Sequence, residues 1–255
     1  MTFCLILKIK MMMKRGLISI ILMVIVATTG IAQAERHEVK VGNFTRLALM
    51  DDINVNYRCN ADSAGLAVLT CTQNVADHIM FTLSSKGQLS IQVADDYERS
   101  GNLPTITVYS SALEGAENAG DSTLRINGLP PMKAFKVRLT DNGKVIARGL
   151  KASQLELQIL SGKGKIIADG SCDDLSLRLV GTGEIQADDV TATNVTCRIM
   201  GTGSMGCHVD GGTLKVSGSG TGKVYYKGTP NKVTVRKLGT IKAIPMNQNN
   251  LYPIN

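Results

Sequence analysis

Apolar and polar residues alternate along the second half of this chain in short segments that recur at a nearly fixed spacing. Units of 20, 20, 20, 19 and 19 residues start at Phe135, Leu155, Leu175, Val195 and Leu214, and a partial unit starts at Val233. Each opens on the same phase: Phe135-Lys-Val-Arg-Leu, Leu155-Glu-Leu-Gln-Ile, Leu175-Ser-Leu-Arg-Leu, Val195-Thr-Cys-Arg-Ile, Leu214-Lys-Val-Ser-Gly and Val233-Thr-Val-Arg. Period-2 alternation predicts a strand with one buried face. A glycine corner follows, as Gly162-Lys-Gly164, Gly181-Thr-Gly183, Gly201-Thr-Gly203 and Gly220-Thr-Gly222; the first unit has Asp141-Asn-Gly143 and the last only Gly239-Thr240. Glycine suits a tight bend because positive φ is unfavourable for a residue with a β-carbon. A second alternating segment then carries Val145/Ala147, Ile166/Ala168, Ile185/Ala187, Met205/Cys207, Val224/Tyr226 or Ile241/Ala243.

One such unit cannot bury its apolar face, but stacked units can, each pairing its backbone with the coil above and below. The pattern therefore predicts an all-β chain folded as a parallel β-solenoid with 19–20-residue coils. An antiparallel sandwich shares the short strands, but the locked phase of the repeat weighs against it. Residues 35–134 alternate less regularly, at Ile53/Val55/Tyr57, Ile79/Phe81/Leu83, Leu89/Ile91/Val93 and Ile106/Val108. Leu113 to Ala134 reads as an irregular early coil, with Leu124 and Ile126 in the second-strand phase. No helical segment or linker intervenes. The expected organisation is a leader over 1–34, one solenoid domain over 35–245, and a tail over 246–255.

Composition adds two constraints. Trp is absent, and Phe and Tyr number 4 and 6, so the core is filled by Leu, Ile, Val and Met, and no exposed aromatic sugar platform is expected. The formal charge is +7, but Lys8, Lys10, Lys14 and Arg15 fall in the leader; without residues 1–34 the balance is 24 basic against 21 acidic groups, or +3. Nucleic-acid binding driven by bulk charge is poorly supported at that balance. The leader itself has a positive Met13-Lys14-Arg15, an apolar run from Gly16 to Val26 and Ala32-Gln33-Ala34. That order is a secretory signal peptide with cleavage after Ala34; the run is shorter than the ~20 residues a membrane span needs. The expected location is the periplasm, cell surface or exterior, with no transmembrane segment after cleavage.

Export permits disulfides. Of Cys59, Cys71, Cys172, Cys197 and Cys207, the first two are the best candidates for a bridge, since a short loop joins two neighbouring strands. Cys197 occupies an apolar position and reads as a small buried hydrophobe. No spacing suits zinc.

The signal peptide, the Gly-x-Gly coils and the ending Val224-Tyr-Tyr-Lys-Gly-Thr-Pro230 with Gly239-Thr-Ile-Lys together resemble one bacterial family. It is the auto-transporter adhesin head domain, or GIN domain, a domain of unknown function. The resemblance covers roughly Phe44 to Ala243, with Tyr226-Lys-Gly228-Thr-Pro230 its most specific element. It implies a right-handed β-helix and a surface-associated role, with no established reaction or catalytic residues. No β-barrel translocator is expected after the solenoid, so "adhesin" enters by analogy.

Stacking turns equivalent positions into stripes. The fourth residue of each first strand points outward: Arg138, Gln158, Arg178, Arg198, Ser217 and Arg236. A second stripe follows the corner: Lys144, Lys165, Glu184, Ser204 and Lys223. Both are mainly basic. Arg138, Arg178, Arg198, Arg236, Lys144, Lys165 and Lys223 are therefore the candidate binding residues, for an anionic polysaccharide or an envelope or surface protein. The bland alternative is a solvated face whose long side chains cover apolar surface. A third ladder, Arg148, Asp169, Asp188, His208 and Lys227, reads as inter-coil salt bridges, with a cation site on Asp169 and Asp188 the sharper alternative. No catalytic motif is complete. Ser217-Gly-Ser-Gly-Thr-Gly-Lys223 lacks the leading Gly and final Ser or Thr of a phosphate loop. The expectation is an exported, non-enzymatic binding protein without cofactor or metal. The alternatives are a periplasmic scaffold or, with Asp173/Asp174 and Asp188/Asp189 as clustered carboxylates, a polysaccharide-active enzyme.

Overall fold

A computed structural model describes residues 34–97 and 103–246. The expected leader lies almost wholly outside the described residues, as does the expected tail beyond Met246. In chain order the elements are β1 Glu35–Lys40, β2 Arg46–Leu49, β3 Val55–Cys59, β4 Leu66–Cys71, α1 Gln73–Asp77, β5 Ile79–Leu83, β6 Gln88–Val93, β7 Ile106–Ser110, β8 Gly115–Asn118 and β9 Thr123–Asn127. The regular half follows as β10 Met132–Leu139, β11 Lys144–Ile159, β12 Lys165–Gly181, β13 Glu184–Gly201, β14 Ser204–Asp210, β15 Thr213–Gly220, β16 Lys223–Thr229, β17 Lys232–Gly239 and β18 Lys242–Pro245.

The fold is the parallel β-solenoid that the repeat predicts. Every residue of the first-strand phase stands opposite its equivalent in the next coil: Val137, Leu157, Leu177, Cys197, Val216 and Val235 form one inward row. The row continues from Val137 through Ala116 and Leu47 to Leu89. All but Val235, at the C-terminal end of the row, are almost wholly excluded from solvent. The sequence reads two strands per coil, but in β11, β12 and β13 the second strand and the next first strand are continuous. They bend at register irregularities following Ala147, Ile167 and Ala187. Each of these three coils thus has one sharp corner and one soft bend, and the bend begins an inward row, Ala152, Cys172, Ala192 and Val209, that runs on into β14.

The less regular half both continues and caps this stack. Leu124 and Ile126 stand opposite Val145 and Ala147, so β8–β9 is a coil in phase with the rest. Chain order and stacking order then part: β2 lies between β6 and β8, and β3 between β7 and β9. Beyond the β6–β7 coil, β4 and β5 run antiparallel and α1, a short helix that the alternation does not reveal, lies between them in sequence. No helix among the described residues is long and apolar enough to cross a membrane.

The early corners are held differently from the glycine corners. The Asp121 N–H donates to Asp52 Oδ1 at 2.7 Å, the Asn142 N–H to Asp121 Oδ1 at 3.2 Å, and the Lys163 N–H to Asn142 Oδ1 at 3.2 Å. Each Asx side chain pins the corner of the next coil, which is why the first unit has Asp141-Asn-Gly143 where the later ones have Gly-x-Gly.

The expected Cys59–Cys71 bridge is not present; the five cysteines of the described residues are free. β3 and β4 flank β7 on opposite sides. Cys59 stands opposite Ser110, whereas antiparallel β4 pairs Val68 with Thr107 and carries Cys71 on toward the other end. A bridge cannot span a strand and that offset. Burial pushes the Cys172 thiol up to about 12, with Asp173 and Asp174 adding to it, and burial also raises Cys71. Cys197 is raised by its contact with Cys207 and by complete burial. A raised pKa leaves little thiolate at neutral pH. Thiol titration at pH 8 of the native protein lacking residues 1–34 is expected to show Cys59 reacting fast and the other four described cysteines only on unfolding. Two fast thiols would overturn this.

Candidate functional site

The outer face of the first-strand sheet is built by the residues that the inward rows leave pointing to solvent. Its register places Arg138, Gln158, Arg178, Arg198, Ser217 and Arg236 in one unbroken row. Neighbouring strands lie ~4.8 Å apart, so Arg178 and Arg198 are adjacent guanidiniums. Their exposure differs from the uniform stripe that alternation suggests. The arginines are exposed, but Gln158 is only 8% exposed and donates to Glu156. Arg138 reaches Glu117 of the preceding coil at 3.8 Å, whereas Arg178, Arg198 and Arg236 enter no ion pair among the described residues.

The Lys row stands round the corner on the second-strand sheet. Lys144, Lys165, Glu184, Ser204 and Lys223 are in register there, and Lys165 is bound to Glu184 at 2.9 Å. The two stripes thus flank the glycine corner on different faces.

Beside the Arg row runs a feature that the sequence reading missed. A cleft of about 560 Å³ crosses several coils and continues into a second of about 230 Å³, the two sharing Glu114 and Lys136. Its sides are the outward rows two and four residues earlier in each coil: Lys136, Glu156, Ser176 and Thr196, then Gln154, Asp174 and Asn194. Lys136 pairs with Glu156 at 2.7 Å, and the Asn194 amide donates to Asp174 at 3.2 Å. Arg198 lines one cleft and Arg138 the other. The signal was available, because these positions share the repeat phase; mixed charge within each row hid it. Chemically the cleft offers donors and acceptors on a fixed spacing, edged by Arg198, which enters no ion pair among the described residues, and by Arg138, which is held to Glu117.

The third ladder is a salt-bridge network, with one shift of register. Arg148 meets Asp169 at 2.6 Å, but a bulge sets Asp189, rather than Asp188, opposite Asp169. Lys227 then reaches past the coil of His208 to Asp188 at 2.7 Å and Asp189 at 3.2 Å. Partial burial disfavours its ammonium, but those two carboxylates outweigh this and hold it above the ordinary lysine range. Each carboxylate that the sequence offers for a cation thus already holds a protein cation. Asp174, one of the clustered carboxylates, is engaged with Asn194.

The family model described as "Putative auto-transporter adhesin, head GIN domain" matches residues 43–230. No curated protein matches. Among solved structures, a putative adhesin from Bacteroides fragilis superposes with a TM-score of 0.75 at 20% identity, over 84% of this chain and 97% of that one. A putative adhesin from Parabacteroides distasonis gives 0.68 at 17% identity, over 84% and 98%. A structure named as a putative lipid binding protein from the same species gives 0.66 at 18%, over 86% and 98%. At these identities the likeness is one of fold.

Proposed function

This chain belongs to the family of putative auto-transporter adhesin head (GIN) domains. From that premise we propose that it is an exported, non-enzymatic binding protein of the bacterial envelope or surface, whose arginine row holds an anionic polymer, an acidic polysaccharide by class. The observation that carries this reading is the adjacency of Arg178 and Arg198, in register, exposed and without an acidic partner among the described residues. Like charges so placed cost about 1 kcal/mol in water. An anion between them removes that cost and accepts two guanidinium forks. Arg138 and Arg236 extend the row, and the cleft beside it supplies groups for hydroxyls. Lys144, Lys165 and Lys223 form a second contact row across the corner; the Glu184 partner leaves Lys165 the least available of the three.

Binding to an array of acidic and neutral glycans, at low and physiological salt, tests this. The expected result is selective retention on acidic glycans that persists at physiological salt. Arg178→Ser with Arg198→Ser should weaken it by about tenfold or more, since a charge-assisted hydrogen bond contributes about 1.5–3 kcal/mol. Retention unchanged in that variant would remove the Arg row from the site.

A further inference from the structure

Charge is separated along the stack. Asp210 is the last acidic residue of the sequence, and residues 211–255 hold seven basic ones. Of these only Lys227 enters an ion pair among the described residues. Lys232, Arg236, Lys237 and Lys242 all belong to the terminal coil, within about one Debye length of the end of the stack. That end is also apolar. Val233 and Val235 occupy the inward phase, opposite the fully buried Leu214 and Val216, yet stand 41% and 40% exposed, and Leu238 is 77% exposed. β15 pairs with one edge of β17, and no strand among the described residues pairs with the other.

The opposite end of the same sheet has the complementary character. Its outermost strand is β5, paired on one side with β6, with Met80 and Leu83 37% and 40% exposed. Residues 60–97, which build this cap, contain Asp62, Asp77, Asp95 and Asp96 against the single Lys86.

We propose that a second copy of this chain covers the basic end: β17 of one copy pairs with β5 of the next, head to tail. Two basic ends repel one another, and so do two acidic caps, whereas unlike ends attract and each offers an edge that no strand among the described residues pairs with, beside exposed apolar side chains. β5 runs against the other strands of its sheet, so the new pair is antiparallel when the two solenoids point the same way. Such a heterologous contact does not close, and it builds short open chains in place of a defined dimer.

Sedimentation velocity of the full chain, purified as the expressing cell processes it, tests the proposal. At low salt the average mass should climb past that of a dimer as concentration rises, and high salt should return it to one chain. Leu238→Asp spoils the basic end and Met80→Lys the cap. Each variant should sediment as a single chain, while an equimolar mixture should form a dimer and nothing larger, because one intact end of each kind remains. A wild type that stays monomeric at every concentration overturns the proposal, as it would if the end were covered by the chain's own tail. A Met80→Lys variant that still associates points to like ends and overturns it too. A monomeric wild type that floats with phosphatidylglycerol vesicles would assign the basic end to lipid instead.

Discussion

Gly201→Ala is expected to destabilise the solenoid by about 3–5 kcal/mol, whereas Gly211→Ala, a substitution ten residues away, should cost about 1–2 kcal/mol. Both glycines have positive φ, +133° and +75°, so both substitutions strain the backbone. They differ in what a methyl group would meet. At Gly211 nothing lies within 4 Å, but at Gly201 the added carbon would sit 2.2 Å from the carbonyl oxygen of Gly181, directly below in the stack. That oxygen is already engaged, accepting the Thr202 N–H at 3.1 Å. The same link recurs from Thr182 to Gly162, Thr221 to Gly201 and Thr240 to Gly220, so the corner is a hydrogen-bonded ladder with no room for a side chain. Urea denaturation of the three proteins measures the difference. Equal midpoints for the two variants would mean that neighbouring coils can separate at the corner without loss.

The corners also show what was legible in the sequence. Positive φ explains the first glycine of each pair, at 162, 181, 201 and 220, but not the second. Gly183 and Gly203 have ordinary φ; they are required because a β-carbon there would meet the Gly164 or Gly183 carbonyl oxygen of the previous coil at 2.6 or 2.3 Å. That is a contact between residues about twenty apart, which repetition announces and local propensity does not. The repeat likewise gave both basic rows their register, since a phase shared by five coils leaves no freedom to slip. What stayed hidden lacked that redundancy. The register shift at the soft bend differs from coil to coil, so the one that puts Asp189 opposite Asp169 is not announced by the repeat, the crossing of β2 between β6 and β8 joins segments that do not repeat, and the cleft arises from rows whose residues vary in charge while keeping their place.

Leu177→Ala is the second large effect, expected at about 2–5 kcal/mol, the range for emptying a fully buried leucine site. Leu177 is 0% exposed and lies in mid-row, between Leu157 and Cys197. A stack of coils is stabilised by nearest-neighbour contacts, so a defect in the middle weakens the coupling of everything on either side. At 2–4 °C per kcal/mol for a chain of this size, the melting temperature should fall by about 10 °C. Val235→Ala removes side-chain volume from the same row at its last position, 40% exposed, and should cost less than about 1 kcal/mol. Calorimetry on both variants separates the two cases by shape as well as by midpoint. The terminal defect should leave one sharp transition with a slightly frayed onset, while the central one should lower and broaden it, or split it in two, as the halves uncouple. If Val235→Ala proved as costly as Leu177→Ala, the terminal coil would have to be covered in solution, and the head-to-tail contact at β17 supplies the cover that the isolated chain lacks.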